Sequence, residues 1–291
     1  VITSHQGPRL LGILSTVALT LTLITHAANV MGGDVRLLRN FYGVIKVKVY
    51  PPAGKRPAVR LLLDGRISHG FQYGAPRDRE ATAYFVPKSG IGQAITHLQG
   101  PRKVGILGLG AGTLASYSRT GDTFIFYELN PDVVQVAQDE FSFLSDADGT
   151  CKIVIGDGRT QLARSSDRGF NLLVLDAFSG DAIPAHLLTR EAMDLYWERM
   201  ESDGILAVNI SNRHANLARV VMGHVGDRGL HWRRVRFSAP SPMGPYLSDW
   251  MLLSRNETVL DEIEAPQGDT HAKAIHWRDD HAPLLPLLMD F

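Results

Sequence analysis

Cysteine is almost missing: Cys151 stands alone in 291 residues, so no internal disulfide can form. That scarcity suits a reducing compartment and removes the thiolate sets from which most closed zinc sites are built. A surplus of charge is missing too, since 30 lysines and arginines balance 30 aspartates and glutamates. A general nucleic-acid binder needs a basic surface to displace counterions, and this balance argues against one. No internal repeat and no low-complexity stretch is present. Cys151 follows Asp146, Asp148 and Gly149 and leads into an apolar run. It reads as a small residue at the start of a strand rather than a reactive thiol. His276 to His281 holds metal-capable side chains, but their spacing does not match a closed zinc site, and the stretch reads as a structural or lid segment.

What the chain does have is an apolar fraction of 44%, enough for a sizeable core. It begins at Val1, as a processed or truncated chain would. Residues 10–25 carry no charge. That length approaches the roughly 20 residues a membrane helix takes, although its threonines, Ser15 and His26 weaken the match. Arg36, Arg39, Lys46 and Lys48 follow the run, against Arg9 before it, which places the remainder on the cytoplasmic side. A buried soluble helix and a signal peptide are the competing readings. Three regions follow: an apolar helix over 1–35, a small β unit over 36–94 and an α/β domain over 95–291. The β unit rests on FYGVIKVKVY and AVRLLLDGRISHGF, two apolar stretches around a Pro/Gly turn.

From Lys103 strands and helices alternate. KVGILGLG, TFIFYEL, CKIVIGD, FNLLVLDAF and GILAVNIS are apolar strand runs, with LASYSR, PDVVQVAQDEF and AHLLTREAMDLYWERM as helices between them. DWMLLS is a late strand, and 255–275 a polar excursion. Such alternation implies a parallel sheet covered on both faces.

Chemistry-bearing residues fall at the strand ends, where ligands of open α/β sheets bind. Gly108, Gly110 and Gly112 form a turn that lets backbone approach a ligand. Glu128, 20 residues after Gly108, ends the next strand, where an acid accepts from ribose hydroxyls. An NAD site would show G-x-G-x-x-G, but position 113 is Thr113, so the pattern favours an S-adenosyl nucleotide. Asp157 and Gly158 end the third strand, where a carboxylate can take an adenine amine; an Asp-Gly turn is the plainer alternative. Asp176 ends the fourth strand and Asp181 follows five residues on. Two carboxylates there would hold a cationic amine, while a strand-end cap and a helix N-cap are the structural alternatives. Asn209, ending the fifth strand, bounds the substrate pocket or serves the backbone alone.

These motifs, with Arg39 to Val44 and Leu63-Asp64-Gly65 ahead of them, resemble the spermidine synthase family, and more closely its bacterial branch joined to membrane helices. The similarity covers most of 38–255. It implies a class I S-adenosylmethionine-dependent, Rossmann-like doubly wound sheet, with the small N-terminal β unit closing over the site. By the same resemblance, Asp176 orients and deprotonates the attacking amine, Asp181 serves beside it, and Tyr84, His69 and Gln72 face the site. His69 reads equally as a surface turn. Ala111 stands where the family carries an aspartate that helps hold the aminopropyl amine, and the Asp-Ser-Ser-Asp spacing is altered.

The implied reaction moves the aminopropyl group of decarboxylated S-adenosylmethionine to a diamine such as putrescine, with methylthioadenosine released and no tightly bound cofactor or metal. The alternatives are an enzyme acting on intact S-adenosylmethionine, as lyase or methyltransferase, and a nucleotide-sensing domain of a membrane transporter. The expected setting is the bacterial inner membrane with a cytoplasmic catalytic domain, or the cytoplasm if the first helix is soluble. Membrane attachment and a homodimer stay open.

Overall fold

The computed structural model describes residues 7–31, 34–65, 67–178, 183–212, 215–241, 246–265 and 273–288. It opens with α1 (Gly7–Met31), whose described side chains, 11–25, all face outward. Among the described residues no helix is long and apolar enough to cross a membrane. The membrane segment expected at 10–25 is corrected accordingly. At 25 residues α1 is long enough to cross, and what falls short is its apolar character. Hydroxyls also interrupt the run: Thr16 and Thr22 donate to the carbonyls of Gly12 and Ala18 one turn back, at 2.9 and 2.8 Å.

The small β unit is a four-stranded antiparallel sheet in sequence order: β1 (Asp34–Asn40), β2 (Gly43–Tyr50), β3 (Val59–Asp64) and β4 (Ile67–Tyr73). It starts two residues before the expected boundary. Alternation sends Ile45 and Val47 of β2 inward, and with Leu62 they join the core of the larger sheet. Val59, Leu61, Phe71 and Tyr73 form a separate cluster on the other side.

After α2 (Gly90–His97), capped by Ser89, comes a seven-stranded sheet. Its elements are β5 (Lys103–Leu107), β6 (Thr123–Glu128), α3 (Pro131–Glu140), β7 (Thr150–Ile155), α4 (Gly158–Arg164) and β8 (Phe170–Leu175). Then follow α5 (Arg190–Arg199), β9 (Met200–Asn209), α6 (Ala218–Arg228), β10 (His231–Ala239) and β11 (Tyr246–Ser254). The strand order is β10-β11-β9-β8-β5-β6-β7. Strands β5 to β9 run parallel, whereas β11 lies antiparallel to both its neighbours. An antiparallel neighbour needs no helical crossover, so this pair leaves a weaker trace in sequence than the βα alternation does. The architecture is a Rossmann-like sheet of methyltransferase type. Cys151 lies in β7, and burial pushes its thiol up to about 11, as befits an unreactive residue.

Period-two alternation divides the core. Ile106, Phe126 and Val174 face α2, α3 and the small sheet. Leu107, Tyr127 and Leu175 face α5, α6 and the C-terminal Trp277. Two helices differ from expectation. LASYSR holds only a 3-10 turn, Thr113–Tyr117. AHLLTREAMDLYWERM divides into a 3-10 turn, Ala185–Leu187, and α5, because the Thr189 side chain caps α5 by accepting from Ala192 N–H. The strand order reverses between β5 and β8, and ligands of such sheets bind at that crevice.

Candidate active site

The crevice is walled by glycine at its tightest points. At Gly108 φ is +105°, and a Cβ would lie 2.5 Å from the Asp176 carbonyl oxygen. At Gly110 φ is +54°, and a Cβ would lie 2.7 Å from the His69 carbonyl oxygen. No other residue fits either place without moving backbone. The two contacts draw β4 of the small sheet and the end of β8 onto one turn, and both glycines line the pocket there. Gly112 takes a positive φ of +80° at the start of the next 3-10 turn; a Cβ on it would meet Leu144, outside the pocket.

Glu128, at the end of β6, accepts from Leu109 N–H at 3.0 Å and from Asn130 N–H at 2.8 Å. Burial raises its carboxyl, and these backbone bonds oppose the rise. Asp157 lines the pocket and, where an Asp-Gly turn was the plainer expectation, caps α4. Its Oδ1 accepts from Thr160 N–H at 2.8 Å and from the Thr160 hydroxyl at 2.7 Å. Its Oδ2 lies 2.9 Å from His186 Nε2. Burial works upward on this carboxyl, but the hydrogen bonds from Thr160 and His186 win and hold it below its ordinary value. Gly158 lines the same wall, where a Cβ would lie 2.7 Å from Leu107 Cγ.

Asp176 follows β8, and its backbone N–H donates to the Leu107 carbonyl at 2.9 Å. Its Oδ1 accepts from Asn209 Nδ2 at 2.6 Å, and Asn209 is itself fixed by accepting from Ser211 N–H at 3.0 Å. Burial pushes the Asp176 carboxyl up to about 8, against the pull of the Asn209 bond. Tyr84 lines the pocket beside it. Burial, then the negative charge of Asp176 and the neighbouring Tyr246, keep its phenol well above the ordinary range. Ala83, just before it, is the one described non-glycine residue with positive φ, at +54°. Strain of that kind costs about 1–3 kcal/mol and persists where surroundings enforce it. Here Thr82 binds the Phe71 carbonyl, and Ser248 and Trp250 donate to the Tyr84 carbonyl at 3.3 and 3.4 Å.

His69 lines the pocket, and its buried Nε2 has no hydrogen-bond partner among the described residues. Burial lowers its pKa, with the charge of Asp64 opposing. Gln72 is not brought to the pocket. Its amide is spent on Asp78 O and Ser142 Oγ, both at 2.8 Å, and on Ser142 N–H at 3.1 Å. Asp181 lies outside the described residues.

Several lining residues were not singled out from the sequence, among them Asp64, Tyr42 and His186. Asp64 sits in the Leu63-Asp64-Gly65 motif, which held the clue. Tyr42 lies in the Arg39–Val44 stretch that carries the resemblance, whereas His186 has no local signal and is brought to the pocket by the fold. The described lining thus includes the carboxylates Asp64, Glu128, Asp157 and Asp176, the histidines His69 and His186, and no lysine or arginine. Such a lining suits a cation and offers no countercharge to an anion.

No family model matches the chain. It is 31% identical over 116 residues to the polyamine aminopropyltransferase of Vibrio vulnificus, covering 38% of each chain. Against polyamine aminopropyltransferase 1 of Hyperthermus butylicus the identity is 27% over 192 residues, covering 56% of this chain and 66% of the relative. The chain therefore spans less than two thirds of either relative. Among solved structures, spermidine synthase from Thermotoga maritima superposes with TM-score 0.57 at 15% identity, covering 85% of this chain and 81% of that one. A probable spermidine synthase from Corynebacterium glutamicum gives TM-score 0.60 at 15% identity, with 83% and 95% covered. These likenesses bear out the fold.

Proposed function

We propose that the chain is an aminopropyltransferase of spermidine synthase type, transferring the aminopropyl group of decarboxylated S-adenosylmethionine to a diamine such as putrescine. The observation that carries this reading is the pocket lining: four carboxylates, with no lysine or arginine among the described residues. Both substrates of the proposed reaction are cations without a carboxylate. Intact S-adenosylmethionine would bring a carboxylate that finds no lysine or arginine among the described lining residues. The polyamine aminopropyltransferases to which the chain is similar support the same reading.

In this reading the glycine turn and Glu128 hold the ribose, and Asp157 takes the adenine amine. Asp176 faces the reacting end, with Tyr84 as a wall and His69 Nε2 free for the nucleotide's aminopropyl end. Asp181, five residues on, remains a candidate for the acceptor's far ammonium. The acceptor nitrogen attacks the aminopropyl carbon bonded to sulfur. The carbon–sulfur bond breaks, its electron pair stays on sulfur, and methylthioadenosine leaves neutral. The proton lost by nitrogen passes to Asp176. A free alkylamine has a pKa near 10.4, so reaching its neutral form at pH 7 costs roughly 4–5 kcal/mol. A carboxylate lifted to about 8 is a far better partner for that proton than one of ordinary pKa. Holding the amine in line with the sulfonium contributes further.

The test is Asp176→Asn, assayed with decarboxylated S-adenosylmethionine and putrescine. Turnover should fall by about 10²–10⁴, the range for a positioned acid or base. Methylthioadenosine affinity, read by calorimetry, should hold, because that ligand has neither amine nor sulfonium charge. Full turnover in the variant would remove Asp176 from the mechanism.

A further inference from the structure

The end of β8 and the end of β9 lie side by side. Leu175 pairs with Val208, so the next residues along, Asp176 and Asn209, are neighbours at the carboxyl edge of the sheet. Asn209 is buried, and its Nδ2 donates to Asp176 Oδ1 at 2.6 Å. Its own Oδ1 accepts from Ser211 N–H at 3.0 Å. Those two bonds settle which way the amide points. Turned over, it would set an acceptor against the carboxylate and a donor against an N–H.

The amide is also held from behind. Ile210 N–H donates to the Asp249 carbonyl at 2.9 Å, and Asp249 N–H to the Ser211 hydroxyl at 3.0 Å. The Asp249 carboxylate is gripped by Arg234 through bonds of 2.9 and 2.7 Å and by Arg236 at 3.0 Å, which ties β10 to β11 at this level. On the other side, the Asp176 main chain is fixed by its N–H bond to the Leu107 carbonyl. Asp176 lines the pocket, and its Oδ2 has no hydrogen-bond partner among the described residues.

We propose that Asn209 is a positioning residue of the reaction: by occupying Oδ1 of Asp176 it leaves Oδ2 as the oxygen that receives the acceptor amine's proton. The inference rests on Asp176 being the base. The amine's N–H bond breaks and an O–H bond forms at Oδ2, while the carbon–sulfur pair stays on sulfur. The bond to Oδ1 survives that change, because a neutral amide donates to a carboxylate and to a carboxylic acid alike. A lysine or arginine in its place would hold the carboxylate ionised and weaken it as a base. A neutral amide orients the group and leaves it most of its basicity.

The test is the pH profile of kcat/KM with decarboxylated S-adenosylmethionine and putrescine, for the unaltered chain, Asn209→Leu and Asn209→Asp. The titratable groups around Asp176 are Tyr84, which stays protonated, and the pocket residues Asp64, Glu128, Asp157, His69 and His186, all left in place. The limb at about 8 in the unaltered chain should move up by about one pH unit or more in Asn209→Leu, because the ionised carboxylate loses its donor. It should move further in Asn209→Asp, where a second carboxylate shares one proton with the first. At pH 7, kcat/KM should fall at least about tenfold in both, while methylthioadenosine affinity holds. A limb still at about 8 in either variant, whatever the loss of turnover, would make Asn209 merely structural and overturn the proposal. Asn209→Asp keeps the size of asparagine and an acceptor for Ser211 N–H, so it decides alone if Asn209→Leu does not fold. A limb that persists in Asp176→Asn would instead remove Asp176 as the base, a separate outcome.

Discussion

Asp176 carries an unusual burden for a carboxyl group, because burial at the end of β8 lifts it to about 8 against the opposing hydrogen bond from Asn209. A folded-state value raised above the unfolded one means that the native protein holds a proton the unfolded chain releases. Stability therefore falls as pH climbs from about 4 through 8, and the penalty is fully present above that window. At pH 7 it amounts to at most roughly 4 kcal/mol. Asp176→Asn removes the ionisation, so its melting temperature should exceed that of the unaltered chain at pH 8 and match it below pH 4. Catalysis runs in the opposite direction, since the base must be ionised to accept a proton. In the unaltered enzyme kcat/KM should rise with pH through about 8, and the residual activity of the asparagine variant should lack that limb. Thermal melts and rate profiles across pH 4–9 check both; a variant less stable at pH 8 would mean that Asp176 is paired rather than desolvated. The other selected residues show why single positions are hard to read. Glu128 and Asp157 were visible because strand ends are where an acid has a use. Gln72 lies three residues past His69 on β4, and its amide braces Ser142 instead.

Elements were legible where periodicity and chain economy agree. The five parallel strands are short apolar runs, four of them running into a glycine or acid and β9 ending at Asn209, and all five lie where those runs predict. Less legible were elements whose pattern is weak. β10 alternates arginine with apolar residues in His231–Ala239, and α6 opens without a side-chain cap. Capping also decided where a helix begins: an unbroken pattern over 185–200 is cut at Thr189 because its hydroxyl satisfies α5. The first helix is the sharpest disagreement between composition and structure. A charge-free run argued for a bilayer, yet its described side chains make no core, and no helix among the described residues is long and apolar enough to cross a membrane. Exposed side chains contribute little to folding, so deleting residues 1–32 should leave β1 and everything after it intact. The truncated chain should bind methylthioadenosine with affinity within about twofold and unfold at the same temperature. Loss of cooperative unfolding on truncation would show that α1 is part of the fold.

At the scale of the whole molecule, a chain of zero formal charge concentrates acid in one crevice. The small sheet is not a separate appendage, because Ile45, Val47 and Leu62 share a core with Ile106, Phe126 and Val174. That shared core brings Asp64 and His69 to the glycine turn, and so the crevice is built from both sheets. Its lining makes the substrate choice testable without any variant. The protein is incubated with decarboxylated or intact S-adenosylmethionine, each with and without putrescine, and the products are followed by mass spectrometry. The expected result is methylthioadenosine together with an aminopropylated diamine, formed only when the decarboxylated nucleotide and putrescine are both present. Methylthioadenosine released from the intact nucleotide, or a methylated product, would contradict the account.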